Sequence, residues 1–131
     1  MVPLSQGAAQ MVAFYDNAAN IATWNDIAVA PGSGPIYLQQ ARANVVQPTP
    51  APAVNISMIL AVLTADHTQV KMVLAVYSLM QNSATGENMA LGVSWDAPAG
   101  SALTIPPGYV VSAQFLLGST ANLLWGQAVY A

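Results

Sequence analysis

The run Val54-Asn55-Ile56-Ser57-Met58-Ile59-Leu60-Ala61-Val62-Leu63 is followed, across the turn Ala65-Asp66-His67-Thr68, by Gln69-Val70-Lys71-Met72-Val73-Leu74-Ala75-Val76-Tyr77-Ser78-Leu79, and this pair of segments decides the fold class. Both are rich in β-branched and apolar residues, and the short polar turn between them makes a β-hairpin. Apolar residues occupy both faces of each segment, as expected of central strands covered by a second layer or by another subunit. Their length and apolarity also permit a buried helix. Asp66, His67 and Lys71 interrupt the run, so no stretch approaches the ~20 apolar residues of a membrane-spanning helix. Asn55-Ile56-Ser57 fits a glycosylation sequon, which chance explains better than export because no signal segment opens the chain at Met1-Val2-Pro3-Leu4-Ser5.

On the N-terminal side, Gln47-Pro48-Thr49-Pro50-Ala51-Pro52 is held extended by its alternate prolines and reads as a crossing between two sheets. Ile36 to Val46 is a polar strand, with Tyr37, Ala41, Ala43 and Val45 on one face and Gln40, Arg42 and Asn44 on the other. Pro31-Gly32-Ser33-Gly34-Pro35 is a loop, preceded by a short strand from Trp24 to Ala30. The segment through Asn20 fits both a helical spacing (Ala8, Met11, Val12, Tyr15, Ala19) and a strand, so residues 1–22 are set apart as an N-terminal arm.

On the C-terminal side, the polar loop Gln81 to Asn88 leads to a strand over Met89 to Trp95 and a turn from Asp96 to Ser101. Strands follow at Ala102 to Ile105, Tyr109 to Leu117 and Asn122 to Tyr130, broken by Pro106-Pro107-Gly108 and Gly118-Ser119-Thr120-Ala121. Even strand spacing with Gly and Pro punctuation predicts an all-β protein, an antiparallel β-sandwich with jelly-roll-like character, formed as one domain by residues 23–131.

Composition constrains function. Of 131 residues, 5% are charged, against roughly a quarter in an average soluble domain, while 55% are hydrophobic. Arg42 and Lys71 are the only cations, and the acids are Asp16, Asp26, Asp66, Glu87 and Asp96. Neutral polar side chains lose far less than charges on leaving water, so such a surface suits permanent contact with neighbours. Nucleic-acid binding needs clustered Lys and Arg and is set aside. With no cysteine and one histidine, the usual zinc ligands are missing, and no calcium loop has EF-hand spacing. No catalytic residues, cofactor or metal site are assigned. His67 beside Asp66 could be a base oriented by a carboxylate, but no motif places a nucleophile, and a solvated turn residue is the better reading. Gly32-Ser33-Gly34 precedes neither a Lys nor a helix and is not a nucleotide loop. Trp24, Trp95 and Trp125, together with Tyr15, Tyr37, Tyr77, Tyr109 and Tyr130, could stack on sugar rings, but core and subunit-interface packing is the better reading, because sugar sites usually add charged or amide side chains and charge is scarce here.

From Ile36 onward, the order of polar strand, Pro-rich crossing, apolar hairpin, Leu103-Thr104-Ile105-Pro106-Pro107-Gly108-Tyr109-Val110-Val111-Ser112-Ala113-Gln114 and a last apolar strand resembles the β-sandwich modules of tailed-bacteriophage structural proteins. The resemblance implies a virion component located on the capsid surface. Its expected role is that of a head decoration or cement protein, commonly a homotrimer, bridging major capsid proteins. The alternatives are a tail, neck or fibre subunit, or a carbohydrate-binding host-adhesion module. Contact residues expected on this reading are Met11, Phe14 and Tyr15 of the arm, whose apolar side chains need cover, and Trp24, Trp95 and Trp125.

Overall fold

The computed structural model describes the backbone of residues 2–3, 8–17, 24–47, 54–81, 89–116 and 121–131, and the side chains of 24–44, 57–77, 92–115 and 126–131. The Pro-rich crossing, most of the loop after Gln81 and the Gly118 loop lie outside these residues. The strands are β1 (Val2–Pro3), β2 (Ala8–Asn17), β3 (Trp24–Val29), β4 (Ile36–Gln47), β5 (Val54–Thr64), β6 (Val70–Gln81), β7 (Met89–Asp96), β8 (Ser101–Ile105), β9 (Tyr109–Leu116) and β10 (Ala121–Tyr130).

They form a six-stranded sheet, β1-β8-β4-β10-β2 with β7 also on β4, and a four-stranded sheet, β3-β9-β5-β6. Every pairing is antiparallel. The chain pairs with itself as one long ribbon: β5 with β6, β4 with β7 and β8, β3 with β9, and β2 with β10. Successive ribbon segments fall in alternate sheets, and the β4–β10 and β5–β9 pairings close each sheet. That winding is a jelly roll, and it makes the protein an antiparallel β-sandwich.

Strands β7 and β8 lie along the same side of β4, as one strand interrupted by an insertion. Gln40 pairs with Asp96 and Leu38 with Leu103, and Ala97 N donates to Gln39 O at 2.8 Å between them. On the other side of β4, the register with β10 slips at the same place, from Val129–Gln40 to Tyr130–Leu38. The slip turns β4 over. Ile36 and Leu38 are buried before it and Ala41 and Ala43 after it, so Tyr37 does not share the face of Ala41 and Ala43 that strict alternation predicts.

The core lies between the two sheets. The larger contributes Ile36, Leu38, Ala41, Ala43, Val93, Ile105 and Ala128; the smaller contributes Ile27, Ala28, Met58, Leu60, Val62, Val111, Ala113 and Phe115. At Gly126 of β10 a Cβ would lie 2.8 Å from Ile27 Cγ1 and 2.9 Å from Cδ1. The missing side chain there makes room for Ile27.

The stretch read as an arm contributes two strands. Ala8–Asn17 pairs with β10 along its whole length, from Ala8–Tyr130 to Asn17–Ala121. Met11, Phe14 and Tyr15 therefore lie within a sheet and not beyond it, because the free hydrogen-bonding edge of β10 selects the strand over the helical spacing. Their side chains are outside the described residues.

Candidate interaction surface

Two-sided apolarity predicts a covered, central position for both hairpin strands, and only β5 has one. It lies between β9 and β6, with Met58, Leu60 and Val62 in the main core and Ala61 and Leu63 buried on its other face with Val110. β6 is the last strand of its sheet. Its Val70, Val73 and Val76 pair with Leu63, Ala61 and Ile59. Together with Met72 and Tyr77 they stay open to solvent, from 37% at Tyr77 to 60% at Val76.

Edge strands are normally protected by charge, proline or brevity, since their unpaired N–H and C=O groups invite another strand. β6 runs for 12 residues and, over its described side chains, has one charge, Lys71, whose Nζ donates to Gln69 Oε1 at 2.8 Å. A groove of about 290 Å³, lined by Met72, Val62, Leu103, Ile105, Pro106 and Tyr109 among others, extends the apolar surface toward β8. Covering one half-exposed Val recovers roughly 1 kcal/mol, so this edge gains free energy when a partner lies on it.

The hairpin turn beside this edge holds the ionisable groups singled out in the sequence, in a different arrangement. Asp66 turns inward on its own loop, accepting from Thr64 Oγ1 at 2.7 Å, Thr68 Oγ1 at 2.8 Å and Thr68 N at 3.1 Å. The Thr64 hydroxyl, then the Thr68 amide and hydroxyl, lower its pKa to about 2. His67 adopts a left-handed backbone, φ 63°, and pairs with Asp26 instead: Nε2 lies 2.8 Å from Asp26 Oδ1. Ser112 Oγ donates to the same oxygen.

Ser, His and Asp thus meet, but in an order that does not support acyl transfer. A catalytic histidine must stand between hydroxyl and carboxylate to accept the hydroxyl proton. Here the carboxylate stands between the other two, and Ser112 is fully buried. The cluster ties the turn to β3 and β9. Sequence reasoning missed it because Asp26, His67 and Ser112 are far apart in the chain.

The described tryptophans do not gather. Trp24 packs on Ala61, Leu63 and Val110 of the smaller sheet, whereas Trp95 packs against the main core from β7. Trp125 pairs with Asn44 in the backbone register, and its side chain is outside the described residues. Among the described residues, no group of three His, Cys, Asp or Glu could hold a metal ion, and no helix is long and apolar enough to cross a membrane.

No protein-family model matches the sequence, and no curated protein matches it. Among solved structures the chain is similar to the Eiger TNF of S. frugiperda, at 13% identity and a TM-score of 0.48, covering 99% of this chain and 89% of that one. It is also similar to a CocE/NonD family hydrolase from Staphylococcus aureus, at 5% identity and a TM-score of 0.46, covering 95% of this chain and 33% of the hydrolase. Both are likenesses of fold alone.

Proposed function

We propose that this protein is a non-catalytic assembly subunit, which binds neighbouring protein copies through the apolar edge of β6. The observation carrying this reading is the row Val70, Met72, Val73, Val76 and Tyr77, exposed on an edge strand of a chain with 5% charged residues. The sequence resemblance to phage structural modules supports a virion setting. Within it, a capsid decoration protein is preferred over a tail, neck or fibre subunit because the chain forms a compact single module. Such a protein works mechanically, as a homotrimer bridging capsid subunits, so that opening the shell breaks many small contacts together.

The test is the mass of the purified protein by light scattering over a range of concentrations, with and without the assembled particle. A closed oligomer that cosediments with the particle supports the reading. A monomer at every concentration that ignores the particle overturns it.

A further inference from the structure

We propose that the outer face of β4 and β7 binds an acidic sugar, with Arg42 receiving its carboxylate. This site belongs to the other sheet from β6, and it does not depend on the assembly reading.

The face is polar and patterned. Gln40, Arg42 and Asn44 of β4 pair with Asp96, Ser94 and Gly92 of β7, and these six residues line a groove of about 270 Å³. A second groove of about 260 Å³ shares Gln40 and Asp96 and continues over the insertion between β7 and β8 as far as Val129. Gly92 leaves space for the Asn44 amide: a Cβ there would lie 2.5 Å from Asn44 Oδ1 and turn that amide aside.

Arg42 is the unbalanced element. Its Nε is buried and meets no hydrogen-bond partner among the described residues. Asp96 lines the same groove, yet it accepts from Gln40 Nε2 at 2.8 Å, and Arg42 makes no ion pair among the described residues. That nitrogen is closed to solvent, so a ligand in the groove meets the terminal guanidinium nitrogens, whose planar fork is shaped to take a carboxylate by two parallel hydrogen bonds.

The surroundings narrow the ligand. One cation is too few for a polyanion such as nucleic acid, which needs several phosphates neutralised together. Asp96 in the same groove repels a doubly charged phosphate more strongly than a singly charged carboxylate. Neutral amides, a serine hydroxyl and the Asp96 carboxylate suit a ligand rich in hydroxyl groups. One carboxylate among many hydroxyls describes a uronic or similar acidic sugar.

The experiment titrates methyl glucuronide and methyl glucoside onto the full chain, followed by saturation-transfer NMR. The expected result is glucuronide binding with Kd on the order of 1 mM, as a shallow single-sugar site gives, and glucoside binding weaker by about tenfold or more. Arg42→Gln should abolish the preference, with oligomer mass and circular dichroism unchanged. Ser94→Asp, which supplies Arg42 with a carboxylate from within the chain, should do the same and serves if Arg42→Gln fails to fold. Equal binding of the two sugars, or preference surviving in both variants, overturns the proposal. So does a changed oligomer mass in Arg42→Gln with no sugar bound by the parent protein, which would make this face a subunit contact.

Discussion

His67 Nε2 lies 2.8 Å from Asp26 Oδ1, so the turn of the central hairpin is fastened to a strand two positions away in the same sheet. Asp26 also serves as the acceptor for the buried Ser112 hydroxyl. Replacing Asp26 with Ala leaves that hydroxyl buried without its acceptor and should cost about 1–3 kcal/mol in chemical denaturation. Adding Ser112→Ala should recover part of the loss, since removing both partners is cheaper than removing one. Additive losses would show that the two side chains are not coupled.

Asp66 supports an acid-sensitive turn. Hydrogen bonds from Thr64 and Thr68 hold its folded-state pKa at about 2, below the ordinary 3.8. A depressed carboxylate pKa contributes stability that is fully present above the ordinary value and disappears as pH falls through the folded one. The hydrogen exchange protection of the Thr68 amide should therefore persist down to about pH 4 and decline between 3.8 and about 2. In Asp66→Asn this step should vanish.

Gly126 faces Ile27 too closely for any side chain. Gly126→Ala should destabilise the protein by roughly 1–3 kcal/mol through overpacking, measured by thermal or denaturant unfolding. Combining it with Ile27→Val, which removes the Cδ1 methyl, should recover part of that loss. A neutral Gly126→Ala would mean that the two layers are not in close contact at this position.

Val73→Asp and Val76→Asp place charge on the exposed side of β6. Because these positions are 51% and 60% exposed, each should change folding stability by no more than about 0.5 kcal/mol while dissociating the oligomer. Light scattering and circular dichroism on the same samples separate the two effects. Intact oligomers in both variants would place the interface elsewhere.

Deleting residues 1–20 removes β2 and uncovers β10 along its length. The truncated chain should lose stability or aggregate through the freed edge, more than it loses binding to partners. Unchanged unfolding with weaker partner binding would return this segment to the role of an arm.

Strand identity was legible because β structure has a short period. Val54 to Leu63 and Gln69 to Leu79 declare strands by their β-branched content, and Pro31-Gly32-Ser33-Gly34-Pro35 or Pro106-Pro107-Gly108 can only be breaks. The scarcity of Lys and Arg, which disfavours polyanion binding, needs no structure either. Pairing was not legible. Met11 and Tyr15 satisfy helical and strand spacing equally, and only the available edge of β10 chooses between them. The face of Tyr37 depends on a register slip opposite the β7–β8 insertion, which no periodicity within β4 reveals.

By itself, then, the sequence determined an all-β sandwich with a neutral surface, because side-chain alternation, proline and glycine act over a few residues. Tertiary structure alone decided that β6 stands at an edge, that Asp26 meets His67 and Ser112, and that Arg42 shares a groove with Asp96 without forming an ion pair. Those are relations between residues distant in the chain, set by which strands exchange backbone hydrogen bonds. The composition of a strand permits many such partners, and the packing of two unequal sheets selects among them.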